Sequence, residues 1–244
     1  MLVTAFPSPI FAANCFILAP AAGEECLVVD PGIEANDWVA DTVREHKLRP
    51  AAVLLTHGHL DHVYTVTPVC TTYEVPALIH GEDSYRLSDP ISTMSPELVA
   101  MLEQQFGAKS TWAEPSEIRT LTDTQHIEIA GLDVQVIHAP GHTEGSAMFH
   151  LPGIPDAVAA APANAAHPAS TVLSGDVLFA GGIGRTDLPG GDSDAMRTSL
   201  REKVMALPDD ALVLPGHGPG TLMARERVTN PYLSEQFLSA TGPF

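Results

Sequence analysis

Cationic side chains are scarce in this chain of 244 residues. Lys and Arg total 12 against 30 Asp and Glu, for a formal net charge of −18 and a pI near 4.7. Nucleic acids and anionic membranes both need a positive footprint on their partner, so neither is expected to bind. Cysteine is sparse and odd in number, at Cys15, Cys26 and Cys70, and no CxxC occurs. That argues against a disulfide scaffold or a zinc ribbon and points to a reducing, cytoplasmic compartment. No apolar run reaches the roughly 18 residues of a spanning helix. The N-terminal stretch has no basic region and is broken by Pro7 and Pro9, so it does not read as an export signal. A GxSxG elbow, a P-loop and a complete GxGxxG are all missing.

What is present suits a folded, globular chain. Hydrophobic residues make up 45% and charged residues 17%, enough to build a sizeable core. Strand-like runs fall at 14–18, 25–30, 51–55, 77–79, 125–130, 133–138, 146–151, 171–173 and 211–214. Helical patterns fall at 34–48, 95–106, 192–207 and 222–228, with a weaker one at 60–73 that carries β-branched residues and Pro68. No repeat or linker divides the chain, so one domain over 1–244 is expected, of mixed α/β or α+β class. An Ala/Pro-rich stretch at about 152–170 has little to bury and reads as an inserted surface loop.

Eleven histidines are the odd entry in so acidic a chain. Four ligand-type residues gather in Thr56-His57-Gly58-His59-Leu60-Asp61-His62, directly after the apolar run 51–55. In an extended backbone His57, His59 and Asp61 point the same way. His62 faces elsewhere unless the chain turns into a helix, an arrangement that suits two adjacent metal ions. Further ligand types stand in Gly-rich turns after apolar runs: Asp30 in Val29-Asp30-Pro31-Gly32, His142 in Pro140-Gly141-His142, Asp176 in Ser174-Gly175-Asp176, and His217 in Pro215-Gly216-His217-Gly218. Glycine there lets the backbone approach closely or adopt positive φ. His80, His126, His138 and His150, in or beside strands, read as core or surface residues. His46 and His167 read as solvated, and Cys70, with no partnered base nearby, as a buried inert thiol.

The early Asp, the HxHxDH run, a lone His, a further Asp and a last His stand in the order seen in the metallo-β-lactamase-fold hydrolases, and the sequence resembles them over most of its length. The Gly181–Asp192 loop and Asn230-Pro231-Tyr232-Leu233 look like the glyoxalase II-like (hydroxyacylglutathione hydrolase-like) branch. The resemblance implies a four-layer αββα sandwich. It implies that His57, His59 and His142 hold one metal, that Asp61, His62 and His217 hold a second, that Asp176 bridges both, and that Asp30 orients the site. Asp61 and Asp176 are the expected catalytic carboxylates. Zinc is the expected metal; the extra carboxylate at the second position would also take iron or manganese.

Two such ions bring a shared water to about neutral pKa, so a bridging hydroxide is the expected nucleophile. A thiolate leaving group needs little acid help, because its conjugate acid has a pKa near 8.5. The expected activity is therefore hydrolysis of a small-molecule thioester of the S-lactoylglutathione type. Arg185 is the candidate substrate-binding residue, or else a structural partner of Asp187 or Asp192. The family's glutathione-gripping C-terminal region has no counterpart after Leu233, which leaves glutathione, another low-molecular-weight thiol or a different carrier as the thiol. Rival readings of the same fold are a mononuclear-iron persulfide dioxygenase using only His57, His142 and Asp176, and a non-catalytic scaffold. The sequence does not set the oligomeric state.

Overall fold

The structure is a computed structural model and describes residues 1–91, 94, 97, 99–101, 104, 113–160, 168–242 and 244. Two six-stranded sheets carry the fold. The first runs β1 (Leu2–Pro7), β2 (Asn14–Ala19), β3 (Glu25–Val29), β4 (Arg49–Leu54), β5 (Ala77–His80) and β6 (Ile118–Leu121) in that spatial order. It is antiparallel up to β3 and parallel from β3 to β6. The second runs β14 (Thr221–Leu222), β13 (Ala211–Pro215), β10 (Ser170–Gly175), β9 (Ala147–Leu151), β8 (Leu132–His138) and β7 (His126–Ile129). There β13 lies parallel to β10 and the other pairs are antiparallel. A two-stranded ribbon, β11 (Leu178–Phe179) and β12 (Gly182–Ile183), follows the β10 turn.

The period-2 alternation of β2 shows how the layers form. Cys15, Ile17 and Ala19 face a core shared with α1 (Ala35–Glu45) and α3 (Val66–Tyr73), through Val39, Val69 and Cys70. Phe16 and Leu18 face the other way, meeting Val134, Val136, Phe149 and Leu173 of the second sheet. A strand buried on both faces needs apolar residues at consecutive positions, and all five of these are buried. On the far side of the second sheet, Met148, Val172 and Val213 pack under Met196 and Leu200 of α5 (Ser193–Glu202) and Met223 of α6 (Met223–Thr229). Helix, sheet, sheet, helix: this is the αββα sandwich that the resemblance implied.

Strands β1 and β6 were not read in the sequence. Both are edge strands, and an edge lacks the apolar alternation that a covered strand needs; β1 is only half-buried and ends on Pro7. The doubtful segment 60–73 is helical, as α2 (Leu60–Val63) and α3. Pro68 is tolerated because it lies in the first turn of α3, where no helical partner awaits its missing N–H. The helix expected over 95–106 falls largely outside the described residues; positions 97, 99–101 and 104 are helical. Of the insert, 161–167 lies outside them, and the rest is largely exposed apart from a single turn, α4 (Asp156–Ala159). No helix among the described residues is long and apolar enough to cross a membrane.

Candidate metal centre

The ligand-type residues of these motifs arrive at one edge of the sandwich, on the turns after strands or, for Asp61 and His62, in the short helix that follows one. His57 and His59 extend from the end of β4. The extended run stops at His59 (φ −70°, ψ 147°), and α2 begins at Leu60, so Asp61 and His62 both lie in its first turn. The expected alternation therefore carries His57 and His59 only. His142 follows β8, Asp176 follows β10, and His217 follows β13. Gly216 has to be glycine here, since a Cβ would overlap Asp176 Oδ1.

Two trios result. In the first, His59 Nδ1 lies 2.8 Å from His142 Nε2, and the His57 ring packs edge-on against both rings. In the second, His62 Nε2 lies 3.2 Å from His217 Nε2, with Asp61 Oδ2 3.4 Å from His217 Nε2. Asp176 stands between them. Its Oδ2 is 3.4 Å from His142 Nε2 and 3.3 Å from His217 Nε2, and its Oδ1 is 3.5 Å from His62 Nε2. Nitrogens sharing a tetrahedral zinc ion at about 2.05 Å would lie roughly 3.3 Å apart, close to these spacings. His57 Nε2 and Asp176 Oδ1 are buried with no hydrogen-bond partner, which is costly unless a cation faces them. The residues thus fit a pair of divalent ions.

The outer faces of the rings are fixed. Asp30, buried with a left-handed φ of 49°, accepts hydrogen bonds from Thr56 N (2.8 Å) and Thr56 Oγ1 (2.6 Å). Its Oδ2 also lies 3.0 Å from His62 Nδ1, which aims Nε2 inward. Thr56 Oγ1 in turn faces His57 Nδ1 at 3.0 Å. His142 Nδ1 donates to the Arg185 carbonyl at 2.7 Å. The Arg185 side chain does something else: its guanidinium is bound by both oxygens of Asp187 at 2.6 Å, with both partners more than half exposed.

Protonation follows from this packing. Burial, with the neighbouring imidazoles, pushes His57 well down, and burial with His142 takes His59 to about 3. Burial also opposes charge on His62, but Asp176, Asp61 and Asp30 outweigh it and raise that ring to about 9. His217, opposed likewise by burial, is raised to about 10 by hydrogen bonds to Asp176 and Asp61. The carboxyls of Asp61 and Asp176 are held below the usual range by the same pairs, against burial. A divalent cation would displace the two protons and meet ionised carboxylates.

One supporting group had no signal in the sequence. Asp83, in the 3-10 turn Gly81–Leu87 after β5, is fully buried. Its Oδ2 accepts from Gly58 N at 2.7 Å and Thr143 Oγ1 at 2.8 Å, and its Oδ1 from Gly145 N at 2.7 Å. One carboxylate thereby joins the loop of His57 and His59 to the loop of His142. Arg86, also buried, flanks Asp83 at 3.4 Å and donates to Glu144 Oε2 at 2.6 Å and to the Pro189 carbonyl at 3.1 Å. The histidines outside the centre mostly have structural partners. His80 and His138 stack at 3.8 Å across the two sheets, and exposed His126 pairs with Asp133. His150 is half-buried beside Gln135, and His167 lies outside the described residues. Burial raises the Cys70 thiol to about 12, which leaves it inert.

A cavity of about 710 Å³ opens over the two trios, lined at the centre by His59, Asp61, His142, Asp176 and His217. A two-sheet sandwich with paired His/Asp trios at one edge defines a metal-binding protein of hydrolase type. Residues 9–155 match the model of the metallo-beta-lactamase superfamily, and the chain belongs to that superfamily. It is 37% identical over 234 residues to an uncharacterized protein of Mycobacterium tuberculosis, covering 96% of this chain and 98% of the relative. It is 29% identical over 236 residues to the hydroxyacylglutathione hydrolase GloC of Haemophilus influenzae, covering 97% and 100%. Among solved structures it is similar to the BLEG-1 B3 metallo-beta-lactamase (TM-score 0.76, 30% identity, 96% and 100% covered) and to TTHA1623 in a di-iron-bound form (0.70, 30%, 94% and 100%).

Proposed function

We propose that this protein is a metal-dependent hydrolase of the glyoxalase II-like branch that cleaves a thioester of a low-molecular-weight thiol. The observation that carries the reading is that both trios are complete and share Asp176 at the floor of an open cavity. The likeness to GloC supports the thioester class. Two divalent ions held there would supply a nucleophilic hydroxide at neutral pH and polarise the scissile carbonyl. His57, His59 and His142 would hold the first, and Asp61, His62 and His217 the second, with Asp176 serving both. The all-imidazole trio suits zinc, and the carboxylate-bearing trio also suits iron or manganese.

The chain's own groups then have separable tasks. Thr56, Asp30 and the Arg185 carbonyl keep three imidazoles turned inward. Asp61 reaches the cavity, and in this reading it accepts the proton of the attacking water. Water adds at the carbonyl carbon and the C–S bond breaks, giving a carboxylate, a thiol and one released proton. The leaving thiolate is a weak enough base to depart with little help from an acid.

A persulfide dioxygenase would need only His57, His142 and Asp176. The convergence of Asp61, His62 and His217 favours the hydrolase. A thioester panel on metal-quantified protein decides between them. Two ions per chain with thioester turnover, abolished in Asp61→Ala, is the expected result. One iron per chain with oxygen uptake on glutathione persulfide would overturn it.

A further inference from the structure

Beyond the metal-facing groups, the described lining of the cavity is mostly apolar. Phe11 comes from the β1–β2 connection, Leu60 from the start of α2, Pro90, Met94 and Met101 from the segment after the 3-10 turn, and Leu188 from the loop before α5. Glu97 and Arg185 are the charged exceptions. Arg185 is the one Lys or Arg of this described lining, and its Nε and Nη2 are held by Asp187, which already neutralises its charge. A substrate arm carrying carboxylates would lose water against methionine and phenylalanine and would have to compete with Asp187 for Arg185, an unfavourable exchange. An aliphatic arm would be covered by the same surface, and methionine adapts readily to varied apolar shapes.

The placement of Phe11 points the same way. Phe11 and Ala12 hold left-handed φ angles of 61° and 57°, a conformation that side chains with a Cβ resist. Neighbouring hydrogen bonds impose it. Ser8 N donates to the Ala13 carbonyl, Asn14 N to the Gly216 carbonyl, and Asn14 Nδ2 to the Pro215 and Gly218 carbonyls. The hairpin is thereby clamped to the His217 loop and keeps an aromatic ring 39% exposed at the cavity. Strain retained beside a reacting centre is a pointer to function.

We propose that the cavity recognises an uncharged, apolar arm of the substrate, and that Phe11 is a specificity-determining residue that covers it. The substrate class is then a thioester with an aliphatic or aromatic group beside the reacting carbonyl or sulfur, rather than one borne on a dicarboxylate thiol. This rests on the hydrolase reading above, so binding and turnover are measured separately.

Inert S-ethyl and S-hexyl thioethers of N-acetylcysteamine are titrated into the metal-loaded protein by calorimetry. Acetyl and hexanoyl thioesters of the same neutral thiol are compared with S-lactoylglutathione in turnover. Burying aliphatic surface is worth about two- to fourfold per methylene, so the hexyl probe is expected to bind at least about tenfold more tightly. The hexanoyl thioester is expected to have the highest kcat/KM of the three. Phe11→Ala, and independently Met101→Ala, should shrink the hexanoyl-to-acetyl ratio. Equal binding of both thioethers, or a preference for S-lactoylglutathione, overturns the apolar-arm proposal, and an unchanged ratio in Phe11→Ala overturns the role of Phe11. Chain-length-dependent binding with no thioester turned over would sink the hydrolase reading and leave the apolar cavity standing.

Discussion

Asp30 and Asp83 are buried carboxylates that act one bond removed from the cavity, yet only Asp30 was legible in the sequence. Asp30 belongs to a ligand-like pattern, a carboxylate in a Pro-Gly turn at a strand end. It meets Thr56 and His62, both within the most informative seven residues of the chain. Asp83 binds backbone N–H groups and a threonine hydroxyl, partners that any sequence supplies, so no residue type or spacing announced it. Arg185 was legible as two alternatives, and the bidentate Asp187 pair matches the structural one. Replacing Asp30 by Asn keeps the shape and one oxygen to accept from Thr56 N, but puts an NH2 donor where Oδ2 accepts from Thr56 Oγ1 and faces His62, and removes the negative charge there. Such supporting groups are typically worth about 10- to 100-fold in metal affinity. Competition with a chromophoric chelator should show a loss of that size for Asp30→Asn; affinity equal to wild type would mean that Asp30 does not orient His62.

At the scale of elements, the centre depends on how turns are tied to one another. The periodicity of strands β2 to β5 and β8 to β10 was readable because both sheets are covered, and the left-handed pair Ala130–Gly131 makes the tight turn between β7 and β8. Edge strands β1 and β6 were not readable, because an edge need not alternate, and the tie points were not, because their partners lie far along the chain. Asp83 is the clearest tie, holding together the β4–α2 turn, the β8–β9 loop and its own 3-10 turn. Asp83→Ala leaves Arg86 buried beside a missing charge, a change that costs about 3–5 kcal/mol. Urea unfolding should show that loss, and a midpoint within error of wild type would show that Glu144 alone neutralises Arg86. Arg86→Met should restore part of it in the double variant, since the buried cation, left with Glu144 alone, is then gone.

For the whole molecule, protons and metal compete for one set of groups. The imidazoles titrate near 6.5 in the unfolded chain. Folded His62 and His217 sit at about 9 and about 10, so the folded state binds more protons above 6.5. Their stabilisation is complete below pH 6.5 and is lost as pH rises through 9 to 10. His57 and His59 are kept neutral, His59 down to about 3, so the folded state binds fewer protons than the unfolded chain on the acid side and stability falls as pH drops below 6.5. Protein stripped by a chelator should therefore have its highest thermal midpoint near pH 6.5, and a midpoint that stays level from there into the alkaline range would refute the carboxylate–imidazole pairing. Saturating metal should raise the midpoint most at alkaline pH, where fewer protons must be displaced. The order in which the chain delivers these groups has a consequence for its synthesis. His57, His59, Asp61 and His62 emerge early, whereas His217 arrives on β13, which must find β10 across the ribbon and α5 before it can dock against Asn14. Contacts of such long sequence separation close late. A chain made as far as Asp176 therefore carries six of the prospective ligands, and the centre closes only once the turn of His217 has been added.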